Sequence, residues 1–185
     1  MLVRRGTQRQ NLKHIRLGRR KAYETLICQH YKAIYGFMVY LTGDKNRSED
    51  LTQDTFVAAW ANIDGLRDHA SLKSWLHQIA YRKFIDSQRA TKHNRTLLKN
   101  MAEATSDIAE TPNPLYQVMA DEHSALLYDA IGKLEPSQYL LIILHYFQGL
   151  SFREMTAVLG RPTGTVKWQI GKALKTLKSF LSERV

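Results

Sequence analysis

A row of lysines near the C-terminus has the residue type and spacing needed to bind phosphate. Lys167, Lys172, Lys175 and Lys178 lie off the apolar stripe of the last predicted helix. Ammonium groups placed in this way neutralise backbone phosphates and supply much of a protein's affinity for nucleic acid. The whole chain has a formal net charge of +10 at pH 7, which favours the same polyanionic class of partner.

The charge is distributed unevenly along the 185 residues. Residues 1–99 carry 19 Lys and Arg against 8 Asp and Glu, residues 100–132 carry 6 acids and no Lys or Arg, and residues 133–185 carry 8 Lys and Arg against 3 acids. This order indicates two cationic modules joined by an anionic connector. The first 21 residues hold eight Lys or Arg and no acid, and they are either a solvated tail or a loose phosphate-binding arm.

The residue pattern does not favour catalysis. The seven histidines stand at positions 14, 30, 69, 77, 93, 123 and 145, without metal-ligand spacing. The chain has neither a Gly-rich phosphate loop nor a nucleophile elbow. Asp50 and Asp54 are one helical turn apart and face solvent, so they do not form an acid–base pair. We therefore expect no enzyme activity, no catalytic residue, no metal site and no cofactor.

The sequence also bears on the compartment. Cys28 is the single cysteine, which excludes an internal disulfide, and we expect it to be a small buried residue on a helix. No run of about 18 apolar residues is present, and the basic N-terminus lacks the apolar core of a secretory signal. These features predict a cytoplasmic protein without direct membrane insertion.

Hydrophobic periodicity predicts three helices in the first half of the chain. The first begins near Ala22 and ends at Gly43, and its inward face carries Ile27, Tyr31, Ile34, Met38 and Leu41. The second begins with Ser48 as its N-cap, and its inward face carries Leu51, Phe56, Ala59 and Trp60. A polar loop at 62–71 precedes the third helix, which starts at Leu72, extends toward Arg95 and has a cationic outer face.

The second half begins with a segment whose composition is that of a linker. Residues 96–123 are acidic, rich in small residues and interrupted by Pro112 and Pro114. Helical periodicity resumes near Ser124, and the helix from about Pro136 is apolar nearly all round, which predicts a central position in a small bundle.

The last two predicted helices form a helix-turn-helix pattern, whose second helix is placed for the DNA major groove. Ser151 and Glu154 have the spacing of a capping box, which predicts a helix start. Gly160 permits the turn that follows. The last helix has an apolar stripe formed by Val166, Ile170, Ala173, Leu174, Leu177 and Leu181. The alternative is a plain helical hairpin whose lysines serve solubility alone.

Two separated stretches resemble one family of proteins. "DLTQDTFVAAW" at 50–60 and "SLKSWLHQIAYRKFID" at 71–86 resemble region 2 of bacterial sigma factors of the extracytoplasmic-function (ECF) group. "LSFREMTAVLGRPTGTVKWQIGKALKTL" at 150–177 resembles region 4 of the same group. The resemblance implies an all-α protein with two small helical domains joined by an acidic flexible linker. The implied boundaries are a basic tail at 1–21, region 2 at 22–95, a linker at 96–123 and region 4 at 124–185.

The resemblance implies a role for each part of region 2. The helix at 48–60 would bind core RNA polymerase, with polar contacts from Asp50, Gln53 and Asp54. The loop at 62–71 and the helix after it would recognise the minus-ten promoter element, partly by capturing an unstacked base. The implied minus-ten contacts are Asn62, Asp64, Leu66, Arg67, His69, Ser71, Arg82, Lys83, Arg89 and Lys92.

Region 4 would read the minus-thirty-five element as duplex DNA. The implied contacts are Arg161, Thr165, Lys167, Trp168, Gln169, Gly171, Lys172 and Lys175. Trp168 stands where the family pattern has Ser, and Gln169 where it has Arg. Gln169 can pair with an adenine edge through two hydrogen bonds. Trp168 either contacts thymine methyl groups or packs against a neighbouring helix or a regulator.

The implied partners are core RNA polymerase, promoter DNA and an anti-sigma factor, which in this group is often membrane-anchored. The acidic linker either occupies a cationic path in the polymerase or serves as a solubilising tether. Two other functions compete with this one. A free-standing helix-turn-helix regulator would bind operators as a dimer, and a non-specific nucleic-acid-coating protein would show no sequence preference.

Overall fold

The fold is built from helices alone in the part of the chain that the structure describes. The computed structural model describes residues 20–63, 72–99 and 122–182. The helices in chain order are α1 (Arg20–Thr42), α2 (Lys45–Ala61), α3 (Leu72–Lys99), α4 (Glu122–Gly132), α5 (Pro136–Ile142), a π-helical turn (Ile143–Phe147), α6 (Phe152–Leu159) and α7 (Thr163–Ser182). These elements confirm the predicted all-α class. None of these helices is both long enough and apolar enough to span a membrane.

Helices α1, α2 and α3 pack together as the first unit. Buried residues of all three helices form its core, among them Ile34, Phe37, Met38, Leu51 and Leu76. The Tyr23 hydroxyl donates to the Phe56 carbonyl and ties the start of α1 to α2. Because these faces exclude water from three sides of a small bundle, their burial is the main source of the unit's stability.

The start of α2 differs from the prediction. Asp44, not Ser48, is the N-cap, because its carboxylate accepts a hydrogen bond of 2.9 Å from the Arg47 amide. Ser48 lies in the first turn of the helix and is fully buried. Its hydroxyl lies 2.6 Å from that of Thr42, at the end of α1. Asp and Ser are equally good N-cap residues, so residue type alone did not decide which of the two begins the helix. The helix begins one turn earlier than predicted.

Helices α4 to α7 form the second unit and contain the predicted helix-turn-helix. The capping box at Ser151 and Glu154 is confirmed, with both reciprocal hydrogen bonds present. Gly160 ends α6 with φ 64°, a left-handed conformation that glycine adopts without the steric cost of a Cβ atom. α6 and α7 are therefore held by a short turn with a fixed geometry.

The predicted central helix is present but changes its winding. It runs as α5 to Ile142 and continues as a π-helical turn to Phe147. The Gln148 amide then donates to the Ile143 carbonyl at 2.9 Å, which spans five residues instead of four. Leu141, Ile143 and Leu144 are fully buried, as expected for a central helix.

The two units pack against each other and share one hydrophobic core. Its buried members come both from the first unit, such as Phe37 and Leu76, and from the second, such as Leu144, Met155 and Val166. The hydrogen bonds that cross the junction include Gln78 Nε2 to the Ala157 carbonyl (2.8 Å), Lys73 Nζ to the Gly149 carbonyl (3.2 Å) and the Tyr139 hydroxyl to the Tyr40 carbonyl (3.0 Å). The two units therefore pack directly against each other, which we call the closed arrangement.

Three burial predictions were wrong. Cys28 is on a helix as predicted, but it is exposed. Trp60 is 42% exposed and contacts Tyr23, with ring centroids 4.5 Å apart. Leu174 is 41% exposed, because the stripe that α7 buries is narrower than its apolar pattern and is confined to Val166, Ile170, Ala173 and Leu177.

Candidate nucleic-acid and polymerase interfaces

The second helix of the helix-turn-helix presents the face that the sequence assigned to DNA. Val166 and Ile170 are buried and hold α7 against the core. Because side chains on a helix surface repeat every three to four residues, the opposite face points away from the core. One contact reaches it from α6, where the Phe152 ring centroid lies 5.7 Å from the Lys167 ammonium group. Its exposed residues are Thr165, Lys167, Trp168, Gly171, Lys172 and Lys175. The structure thus brings together six of the eight residues predicted to contact the minus-thirty-five element.

Trp168 is the most prominent side chain on this face. It is 66% exposed, so it does not pack against another described helix. The Lys172 ammonium group lies over its indole ring, 5.8 Å from the ring centroid. A cation over an aromatic face is weakly attracted to it, which restrains both side chains on the helix surface. An aromatic plate beside lysines is suited to a surface that is both apolar and negatively charged, such as a DNA groove.

The remaining two predicted contacts, Arg161 and Gln169, form a pair at the edge of this face. Arg161 Nη1 donates to Gln169 Oε1 at 3.2 Å, and both side chains are half-buried. The hydroxyls of Thr156 and Thr163 lie 3.1 Å apart and join α6 to the start of α7. The turn, the first helix and the second helix are therefore held as one element.

A groove between α2 and α3 gathers the described residues predicted for the minus-ten element. It has a volume of about 390 Å³, and its polar lining includes Asn62, Arg82, Lys83 and Asp86. Arg89 and Lys92 lie further along α3, beside a second depression of about 410 Å³. Asp64, Leu66, Arg67, His69 and Ser71 lie outside the described residues, and so does the basic segment at 1–19.

The residues predicted to bind core polymerase lie on the outer face of α2. Asp50, Gln53 and Asp54 are exposed, while Leu51 and Thr55 of the same helix are buried. Asp54 is also 4.0 Å from the Lys83 ammonium group, with side-chain exposures of 64% and 38%. An ion pair this exposed contributes little to stability, so both groups are available to partners.

Sequence reasoning missed a polar cluster at the junction of the two units. His77 is 1% exposed, and its Nε2 lies 3.3 Å from Gln148 Oε1. Its Nδ1 lies 2.8 Å from the Lys73 carbonyl. The only available signal was a histidine between the apolar residues Leu76 and Ile79, and no local pattern identifies a partner 71 residues away.

Known proteins match both halves of the chain. The Sigma-70 region 2 family matches residues 26–94, and the Sigma-70, region 4 family matches residues 124–177. The ECF RNA polymerase sigma factor SigE of Mycolicibacterium smegmatis is 29% identical over 164 residues, which are 88% of this chain and 62% of SigE. The chain belongs to the ECF sigma factors. SigW of Bacillus subtilis, also an ECF sigma factor, is 26% identical over 181 residues, 95% of this chain and 97% of SigW.

The closed fold of this ECF sigma factor also has a relative among solved structures. The structure of the sigma factor RpoE from Bartonella quintana, solved in complex with the anti-sigma factor NepR, matches with a TM-score of 0.67 and 26% identity. The match covers 88% of this chain and 98% of the matched chain. Similarity across both units confirms the sigma factor interpretation and does not favour a free-standing regulator, whose first half would be unrelated.

Proposed function

We propose that this sigma factor binds core RNA polymerase through α2 and recognises two promoter elements through separate surfaces of its two units. The observation that carries this proposal is the outer face of α7, where Trp168 and three lysines are exposed opposite the buried stripe. A second cationic surface on α3 accompanies it in the same chain. A free-standing regulator needs only one DNA-binding surface, whereas a protein that recognises two promoter elements needs both surfaces.

The polymerase contact is assigned to Asp50, Gln53 and Asp54. Their carboxylate and amide groups stand on one exposed helix face and suit a partner surface that presents Arg or Lys. The remaining faces of α2 are packed on α1 and α3, which keeps this row of acceptors in a fixed geometry.

The minus-ten contact is assigned to the groove between α2 and α3 together with the loop at 64–71. Arg82 and Lys83 supply cations for the phosphates, and Asn62 supplies an amide at the end of α2. An unstacked base needs an apolar wall as well, and Trp75 and Ile79 line the same groove. The groove therefore combines the groups that single-stranded DNA binding requires.

The minus-thirty-five contact is assigned to α7. Lys167, Lys172 and Lys175 bind phosphates, and Trp168 and Gln169 face the base edges. Gly171 lets the helix backbone approach the DNA closely. The chain itself needs no catalytic site in this role and works in the cytoplasm with the polymerase. Similarity to a sigma factor solved with an anti-sigma factor supports an inhibitor of that class as a further partner.

Transcription in vitro tests this function directly. Core RNA polymerase of the host is incubated with fragmented genomic DNA, with and without the chain, and the transcript starts are mapped. We expect starts at a small set of sites that share two upstream elements and depend on the chain. Failure of the chain both to bind core polymerase and to start transcription at any host promoter would refute the proposal.

Trp168→Ser is expected to alter promoter choice and to leave stability unchanged within about 0.5 kcal/mol, because the side chain is mostly exposed. Loss of the indole removes an apolar contact at one base step, so the consensus of the minus-thirty-five element should change at one or two positions. Transcript mapping of both proteins measures the first effect, and urea unfolding measures the second. A large drop in stability with unchanged promoter choice would instead place Trp168 in a structural role.

A further inference from the structure

The pair formed by Arg161 and Gln169 has a consequence for which base is read. In the family pattern an arginine occupies the position of Gln169. In this chain the guanidinium of Arg161, which lies in the turn before α7, reaches the Gln169 side chain instead. Arg161 follows Gly160, whose left-handed backbone directs the turn back toward α7. Its Nη1 then donates to Gln169 Oε1 at 3.2 Å.

This hydrogen bond limits what the glutamine can recognise. Reading adenine takes both ends of the amide, because the oxygen accepts from the adenine amino group while the nitrogen donates to N7. In this sigma factor Arg161 holds the oxygen, and the Gln169 nitrogen and the remaining guanidinium N–H groups are all donors. A group of donors matches the guanine edge, where N7 and O6 both accept.

We infer that Arg161 is a positioning residue that fixes the amide of Gln169, so that the pair selects guanine at one position of the minus-thirty-five element. The inference rests on the proposed role of α7 in reading that element. It differs from the expectation that Gln169 alone would pair with adenine.

The test uses polymerase holoenzyme assembled with the full chain and a promoter library randomised in its upstream element. The wild-type chain is expected to enrich guanine at one position about 5- to 100-fold, the range that one good side-chain pair provides. Arg161→Ala frees the amide and should change the preferred base at that position to adenine. Gln169→Ala should abolish the preference, and the double variant should behave as Gln169→Ala does.

Lys175→Ala is the matched control, because it removes an exposed cation from α7, the helix that carries Gln169. It should weaken binding to all library members equally and reduce the salt dependence. The same uniform loss from Arg161→Ala would show that Arg161 binds only phosphate and would overturn the inference, while the proposed function would stand. A wild-type holoenzyme that initiates at no promoter would overturn both.

Discussion

Replacing Asp50 and Asp54 together with alanine is expected to weaken binding of this sigma factor to core RNA polymerase about 10- to 100-fold, with its helical content unchanged. Both carboxylates are exposed on α2. A typical hydrogen bond contributes about 0.5–1.5 kcal/mol net, so losing one at each carboxylate gives an effect of this size. The ion pair of Asp54 with Lys83 is too exposed for its loss to affect the fold.

Binding is measured by titrating labelled sigma factor with core polymerase at fixed ionic strength. Glu135→Ala is the matched control, because Glu135 is an exposed acid at the start of α5 and makes no side-chain capping bond. It should bind as the wild type does. If the double variant loses helicity, Asp50 and Asp54 are structural, and if it binds normally, the polymerase contact lies elsewhere on the chain.

The secondary structure and the exposed face of α7 could be predicted because their causes are local. Ser151, Glu154 and Gly160 act within a few residues of one another, and their capping roles are present in the structure. Val166, Ile170, Ala173 and Leu177 repeat at helical spacing and are all buried. Periodicity states which face of a helix is apolar, and this was enough to place the exposed lysines on the opposite face.

The errors concern residues whose burial depends on what another helix covers. Leu174 continues the apolar stripe, yet it is exposed because nothing in the described part of the chain covers that edge of α7 fully. Trp60 and Cys28 are also apolar by type, but both are exposed at the edge of the surface where their helix contacts another helix. Such margins depend on crossing angles and neighbouring side chains, which a single helix pattern does not contain.

The shared core could not be predicted from the sequence. The acidic segment at 96–123, with its two prolines, predicts a linker between separate domains. Each flanking segment has enough apolar residues for a core of its own. His77 acquires its partner Gln148 only when α3 meets the end of the π-helical turn. Contacts of this kind arise between distant segments and leave no periodic signal, so the closed arrangement is a finding of the structure alone.

Leu76→Ala is expected to lower the free energy of unfolding by about 2–5 kcal/mol and to destabilise both units together. Leu76 is fully buried on α3 and belongs to the cluster that also contains Leu144, Met155 and Val166 of the second unit. The truncation leaves a cavity that the close-packed neighbours fill only in part. Because one cluster spans both units, we expect a single cooperative unfolding transition.

Urea unfolding followed by circular dichroism gives the free energy, and hydrogen exchange at pH 8 reports each helix separately. Because the shared core joins the two units, protection of amides in α7 should fall along with protection in α3. Leu174→Ala serves as a control for truncation without burial, since Leu174 is 41% exposed and its loss should cost much less. Protection of α7 that is unaffected by Leu76→Ala would mean that the units unfold independently.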